Sequence, residues 1–197
     1  MTPPPPPEPP EPPDDPADLD PSFRDIEESY LAAGNLQADI TEAVCLAEAE
    51  GIRWGFWPFP YPFQGIYLYR GAHKPPLIGI ADRLIRLPVL ARSVFYEELG
   101  HHFMSVPYGL PYRFHSQAQR LAYSKMEKQA LRWAALKLIP RAALIAFAAA
   151  GGGTVRDLAR QVRVTDEIAA ERIDALRAYD PALYRRLLLL SAGEEEA

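Results

Sequence analysis

Proline placement is the feature that most restricts how this chain can fold. Eleven of its 21 prolines fall within residues 3–21. Proline removes a backbone donor and fixes φ, so such a segment forms neither a stable helix nor a central strand. The same segment has no Lys or Arg but six acidic residues: Glu8, Glu11, Asp14, Asp15, Asp18 and Asp20. We therefore predict a disordered, polyproline-like acidic tail over residues 1–21 and a fold built from the residues that follow.

Charge is distributed unevenly along the chain. The formal net charge is −5 and the tail contributes six negative charges, so the remainder sums to about +1. A nearly neutral fold is not typical of proteins that bind nucleic acid or membrane surfaces through charge. The first residues do not show a basic segment followed by an apolar one, so we expect no signal peptide. The apolar stretch at residues 142–150 is shorter than the ~20 residues of a transmembrane helix. We expect a cytoplasmic protein without direct membrane or nucleic-acid contacts.

The chain has a single cysteine, Cys45. One cysteine can form neither an internal disulfide nor a thiolate metal cage, and this is compatible with a reducing compartment. Because Cys45 lies in an Ala- and Leu-rich helical pattern, we expect it to be a small buried side chain.

Hydrophobic spacing and breaker residues predict a mostly helical α+β fold. Helices are expected over residues 22–51, with a break at Gly34, and over residues 88–104, 116–139 and 141–150. Three further short helices have N-cap residues in place, namely Thr154, Thr165 and Asp180. Between the first two helical regions lies an aromatic, proline-rich stretch, in which residues 65–70 and 77–80 are predicted to be strands of a small antiparallel sheet.

The chemistry-bearing motif lies in the helix predicted at residues 88–104. Glu97 and His101 are four residues apart, so on a helix they project from one face about 6 Å apart and can hold one metal ion. Glu98 follows Glu97 and can act as general base on a metal-bound water. This is the arrangement of the H-E-x-x-H zinc helix, with Glu97 in place of the first histidine.

A third ligand is expected from Glu127, on the next long helix. A catalytic site of this kind has three protein ligands and leaves one position open. One imidazole and two carboxylates form a harder ligand set than the usual one, so manganese or iron is plausible beside zinc. The spacing alone leaves a second interpretation open, in which Glu97 and Glu98 belong to a solvated, salt-bridged face. Val94, Phe95, Leu99 and Phe103 make the helix strongly apolar, which favours the metal site because buried carboxylates need a partner.

Several neighbouring residues have open roles. His102 follows one turn after Glu98, where it can orient that carboxylate, stabilise a transition state or simply pack. It can also replace Glu97 as a metal ligand, although donors at adjacent helix positions such as His101 and His102 converge poorly on one ion. His115, Tyr112 and Tyr123 are candidate donors to a developing oxyanion, but a structural role is the more common one for single polar residues near a site.

These residues resemble a known family. Residues 94–102 (V-F-Y-E-E-L-G-H-H), residues 125–134 (K-M-E-K-Q-A-L-R-W-A) and residues 138–140 are similar to the ImmA/IrrE metallopeptidases, and to a phage-type branch that carries E-E-L-G-H-H. The strand predicted at residues 77–80 and the pattern of residues 158–165 also fit. The resemblance extends over about residues 39–190.

The resemblance implies a zincin-like, gluzincin fold with an active-site helix pair and a C-terminal helical bundle. We expect the metallopeptidase domain at residues 22–150, a helix-turn-helix-like subdomain at residues 154–190 and an acidic tail at residues 191–197. His101 and Glu127 match metal ligands and Glu98 matches the general base. Glu97 departs from the family's first histidine, which puts zinc affinity and catalysis in question.

The resemblance also implies a function. Such members act on helix-turn-helix repressors and thereby switch on mobile elements or stress genes, so we expect a metal-dependent endopeptidase with a repressor as its protein substrate. The substrate is expected to lie extended along the edge of the strand at Leu77–Ile80. One alternative is a non-catalytic module that sequesters a repressor; another is a purely structural interaction domain. Acidic residues offset the arginines of the C-terminal helices, which argues against DNA binding there.

Overall fold

A computed structural model describes residues 35–71, 73–104 and 117–192 of the chain. The predictions for the tails, for residues 22–34 and for the loop at residues 105–116 lie outside the described residues. The helices are α1 (Asn35–Ala49), α2 (Pro88–Met104), α3 (Gln117–Leu138), α4 (Arg141–Ala149), α5 (Val155–Val162), α6 (Asp166–Tyr179) and α7 (Pro181–Ala192). The strands are β1 (Arg53–Trp57), β2 (Gly65–Leu68) and β3 (Leu77–Ala81), and a 3₁₀ helix (Asp82–Arg86) leads from β3 to α2.

Helix positions agree with the predictions wherever the structure describes them. The C-terminal helices begin at the expected caps. Thr154 forms a capping box with Asp157, the Thr165 hydroxyl accepts from the N–H of Ile168, and Asp180 accepts from the N–H of Leu183. These side chains satisfy amides that have no partner within the helix, which is why each helix starts where it does.

The prediction of an antiparallel sheet was wrong in part. Within the described residues the sheet is mixed, in the order β1-β3-β2, with β1 parallel and β2 antiparallel to β3. The hairpin of β2 and β3 was predicted, whereas β1 was missed because its strand runs into the proline-rich stretch that follows Trp57. The central position of β3 also overturns the expectation that a substrate adds to the edge at Leu77–Ile80, since β3 already has a neighbour on both sides.

Helix α2 lies at the centre of the fold. It packs against α1, α3 and the sheet, and its side chains join one core with those of β3 and the C-terminal helices. Ile78, Ile80, Phe95, Leu99 and Ile168 are among the largest fully buried side chains. A helix that is apolar on most of its surface must be buried, and this burial draws the polar residues of α2 into the protein as well.

Polar contacts attach the C-terminal helices to α2. The Arg92 guanidinium donates to the carbonyls of Val162 and Arg163 at the end of α5, and the N–H of Thr165 donates to the Ser93 hydroxyl at 3.1 Å. The first turn of α6 is thereby fixed beside the middle of α2.

The expectation that Cys45 is buried was wrong. Its side chain is exposed, because α1 turns Ile40, Ala43 and Ala47 toward the core and Cys45 lies on another face. None of the helices in the described part of the chain is both long and apolar enough to cross a membrane.

Candidate functional site

Glu98 is buried between α2 and β2, with 8% of its surface exposed. The backbone N–H of Tyr67 donates to its carboxylate. Gly65 makes room for it, because a Cβ at Gly65 would lie 2.6 Å from Glu98 Oε1 and 2.6 Å from Val94 Cγ1. The carboxylate is thus seated against a glycine and held by one main-chain donor of β2.

A second glycine brings α2 and α3 together. A Cβ at Gly100 would lie 2.4 Å from the carbonyl oxygen of Ala130, so only glycine permits this approach. One turn before Ala130 on α3, Glu127 Oε1 lies 3.5 Å from His101 Nε2. The close packing of the two helix backbones therefore sets the imidazole against the carboxylate.

The two carboxyl groups of the motif have strongly raised pKa values. Burial raises the pKa of Glu98 to about 8; the positive charge of His101 opposes this shift, and the negative charges of Glu97 and Glu127 add to it. Burial also raises the pKa of Glu97 to about 7, with further contributions from the charges of Glu127 and Glu167. Buried carboxyls that repel one another favour their neutral forms unless a cation joins them.

His101 responds to the same charges in the opposite direction. Burial alone would lower the pKa of its imidazole, but the hydrogen bond that its N–H donates to Glu127 and the charges of Glu98, Glu127 and Glu97 together raise it. The structure thus places the four residues predicted for the site, Glu97, Glu98, His101 and Glu127, within one electrostatic cluster.

His102 lies one turn after Glu98 on α2, and its imidazole contacts Tyr67, Glu50 and Phe103. Its Nδ1 lies 3.0 Å from the Tyr67 hydroxyl, and its Nε2 lies 3.8 Å from Glu50 Oε2. Its ring packs edge-on against Tyr67 and Phe103. His115 and Tyr112, together with the side chain of Tyr123, lie outside the described residues.

The donor set suits a divalent cation by its chemistry. It combines an imidazole with carboxylates whose mutual repulsion a cation would relieve, and such oxygen and nitrogen donors are ligands for zinc, manganese and iron. Across residues 35–71, 73–104 and 117–192, no three His, Cys, Asp or Glu side chains stand close enough to form a complete ligand set. The direct contact is between His101 and Glu127, and Glu97 interacts with both through its charge.

Three contributors to the site were missed from the sequence. Tyr67 and Gly65 belong to β2, which approaches α2 only in the folded chain. Glu167 lies in the first turn of α6, and its negative charge raises the pKa of Glu97. The hydrogen bond between Thr165 and Ser93 brings that turn beside α2. A glycine at the start of a predicted strand was the one available signal.

A buried carboxyl group beside an imidazole–carboxylate pair is typical of metal-dependent hydrolases. The chain matches a peptidase family described as the IrrE N-terminal-like domain over residues 66–174, which is more than half of its length. It therefore belongs to that family, as the sequence resemblance indicated. No curated protein matches the chain. Nor does any solved structure.

Proposed function

We propose that the protein is a metal-dependent endopeptidase in which Glu98 is the general base and Glu97, His101 and Glu127 hold the metal. The observation that carries this proposal is the contact of His101 with Glu127 close to the point where buried Glu98 meets β2. Zinc, or alternatively manganese or iron, supplies Lewis acidity when bound at such a site. Membership of a peptidase family supports the same reaction class.

Glu98 moves the proton in this reaction. Its carboxylate accepts a proton from water as the water oxygen attacks the carbonyl carbon of the scissile peptide. Glu98 then donates that proton to the amide nitrogen as the C–N bond breaks, which regenerates the carboxylate. The Tyr67 amide holds the carboxylate in place during both steps, and burial between α2 and β2 limits the water around it.

The proposed substrate is a helix-turn-helix repressor. This proposal is supported by the resemblance of residues 94–102 and 125–134 to ImmA/IrrE proteins that act on such repressors. Within the described residues the outer edge of β2 is the sheet edge beside Glu98, since β3 lies between its two neighbours. An extended substrate segment is therefore expected to approach along β2.

The test compares cleavage by the wild-type protein and by Glu98→Gln. Each protein is loaded with zinc or manganese and incubated with purified helix-turn-helix repressors encoded beside this chain's gene. We expect Glu98→Gln to lose cleavage by about 10²–10⁴-fold, the usual contribution of a general base. Metal content, measured by elemental analysis, should stay the same in Glu98→Gln and fall in His101→Ala.

Glu48→Gln is the matched control, because Glu48 is an exposed glutamate on α1. It should cleave as the wild type does. Undiminished cleavage by Glu98→Gln would overturn the assignment of the general base.

A second candidate function is a non-catalytic module that binds and sequesters a repressor. It is favoured by Glu97, whose carboxyl occupies the first ligand position of the motif and is repelled by Glu127 and Glu167. In that case the wild-type protein captures the repressor without cutting it, and Glu98→Gln captures it equally well. Glu97→His would then raise metal affinity and create proteolysis, because it restores the imidazole of the usual motif.

A further inference from the structure

Two hydrogen bonds made by Tyr67, one through its backbone and one through its side chain, join β2 to α2. The Tyr67 backbone N–H donates to Glu98, and the Tyr67 hydroxyl lies 3.0 Å from His102 Nδ1. Glu98 and His102 are four residues apart on α2, so they occupy the same face of the helix at successive turns. One residue of the strand therefore makes both contacts, and one of the two contacted residues is the proposed general base.

The sheet ladder does not fix the Tyr67 amide. The Ala81 N–H donates to the carbonyl of Gln64, so these two residues form a hydrogen-bonded pair. The next hydrogen-bonded pair along the ladder is Ile66 with Gly79, two residues further on each strand. Such pairs alternate along an antiparallel ladder, so the N–H of Tyr67 points to the outer edge of β2 and away from β3. The position of the Tyr67 amide relative to Glu98 therefore depends on contacts of Tyr67 other than the hydrogen bonds to β3.

The imidazole of His102 is oriented to hold the Tyr67 phenol. Its Nε2 faces the carboxylate of Glu50 at 3.8 Å, which favours the tautomer with the proton on Nε2. Nδ1 is then the acceptor, and the Tyr67 O–H donates to it. Edge-on packing of the ring against Phe103, with centroids 5.1 Å apart, limits its rotation.

We propose that His102 and Tyr67 are a positioning pair for the general base. His102 holds the phenol, and the held side chain keeps the Tyr67 amide against the carboxylate of Glu98. This inference rests on the proposed function, since the role of Glu98 is part of it. Neither residue needs to touch the substrate. The competing explanation is ordinary packing, in which the bond stabilises the fold without influencing the amide.

Amide hydrogen exchange, measured on the whole protein, tests the positioning pair without any assay of activity. Deuterium uptake is followed by mass spectrometry in peptides that cover residues 65–69 and 77–81. In Tyr67→Phe and in His102→Leu, we expect uptake at residues 65–69 to become about tenfold faster, as one lost hydrogen bond predicts. Uptake at residues 77–81 should not change, because the β3 ladder is intact.

Two further variants distinguish a positioning role of His102 and Tyr67 from ordinary packing. His102→Asn keeps an acceptor near the place of Nδ1 and should retain slow exchange. The double variant of Tyr67→Phe and His102→Leu should exchange no faster than either single variant, because both remove the same bond. Tyr69→Phe and His73→Leu are matched controls on exposed residues of the same hairpin and should behave as the wild type does.

Turnover gives the second readout. With fluorescein-labelled unfolded casein as substrate, Tyr67→Phe and His102→Leu should lower kcat by about 10- to 100-fold, the usual effect of residues that orient a site. KM and the affinity for zinc should stay within about twofold, because neither residue is a ligand in this scheme.

Unchanged exchange at residues 65–69 in both variants would refute the proposal that His102 and Tyr67 position Glu98. So would equal acceleration at residues 77–81, which would reveal general destabilisation. A wild-type protein that cleaves neither casein nor the neighbouring repressors counts against the proposed function, while the exchange data still decide whether His102 and Tyr67 position Glu98.

Discussion

His101 and Glu127 meet across the interface of α2 and α3, with 3.5 Å between Nε2 and Oε1. The pair is distant in sequence, and it forms because Gly100 lets the two helix backbones approach at Ala130. The negative charges around the imidazole raise its pKa despite burial. The same surroundings would suit a cation, and this leads to the first prediction.

Zinc should stabilise the wild-type protein against heat and should fail to stabilise His101→Ala. A ligand that binds only the folded state adds about 2.7 kcal/mol at a concentration of 100 times its Kd. Glu127→Gln should weaken zinc binding by at least about a hundredfold, more than the loss of an outer partner does. Thermal scans and calorimetric titration measure these effects.

His73→Ala is the control for this measurement, because His73 is an exposed histidine in the turn between β2 and β3. Equal stabilisation of His101→Ala and the wild type by zinc would show that the ion binds elsewhere.

Gly100→Ala should destabilise the protein although alanine normally favours helices. The added Cβ would lie within 2.9 Å of three backbone atoms of Ala130, and backbone cannot rotate away as a side chain can. We expect a loss of about 1–3 kcal/mol, the usual cost of overpacking, together with weaker zinc binding as His101 and Glu127 separate. Urea denaturation gives the first quantity.

Gly51→Ala calibrates this result, because a Cβ there meets no atom within 4 Å and only the positive φ of 67° is unfavourable. Its cost should be about 1 kcal/mol or less. A Gly100→Ala protein as stable as the wild type would contradict the close approach of the two helices.

The ion pair of Arg132 with Glu171 should contribute to stability. The Arg132 Nε donates to Glu171 Oε1 at 2.6 Å, and only 8% of the Glu171 side chain is exposed. Removing one partner leaves a buried charge unpaired, which costs about 3–5 kcal/mol when both groups are buried. Because Arg132 is partly exposed, we expect about 2 kcal/mol for Arg132→Ala in chemical denaturation.

A surface pair provides the comparison. Arg177 lies 3.1 Å from Asp174, and both side chains are more than half exposed. Arg177→Ala should cost less than about 0.5 kcal/mol, since water screens the pair. Similar losses in the two variants would show that burial of Glu171 contributes nothing to the difference.

The capping box of α5 should make stability depend on pH in acid. The hydroxyl and backbone N–H of Thr154 donate to Asp157 and lower the pKa of its carboxyl below the ordinary value of 3.8. A lowered pKa in the folded state means that the stabilisation is present above pH 3.8 and is lost as the pH falls through the lower, folded-state value.

Asp157→Asn should therefore be less stable than the wild type at pH 7, and the difference should shrink as the pH falls below 3.8. Thr154→Ala should cost about 1 kcal/mol at pH 7, as other N-cap losses do. Denaturation curves at neutral and acidic pH measure both. A difference between Asp157→Asn and wild type that is the same at every pH would exclude the charge as its cause.

Local patterns were sufficient to predict most helices. Pro88 begins α2, Thr154 and Thr165 begin α5 and α6, and three consecutive glycines end the helical run before Thr154. These signals act between neighbours in the chain, through caps and fixed φ values, so they can be read before the fold is known. The pairing of β1 with β3 could not be read in this way, because parallel pairing joins distant segments and depends on the whole sheet.

The sequence by itself determined the spacing of Glu97, Glu98 and His101 on one helix, and the apolar surroundings that bury them. Only the tertiary structure decided which groups those residues meet. Glu127 reaches His101 because two helix backbones touch at a glycine, and Tyr67 reaches Glu98 because the outer edge of β2 passes beside α2. The physical reason is range: helix caps and helical spacing depend on residues a few positions apart, whereas burial and close contact depend on how separate elements pack.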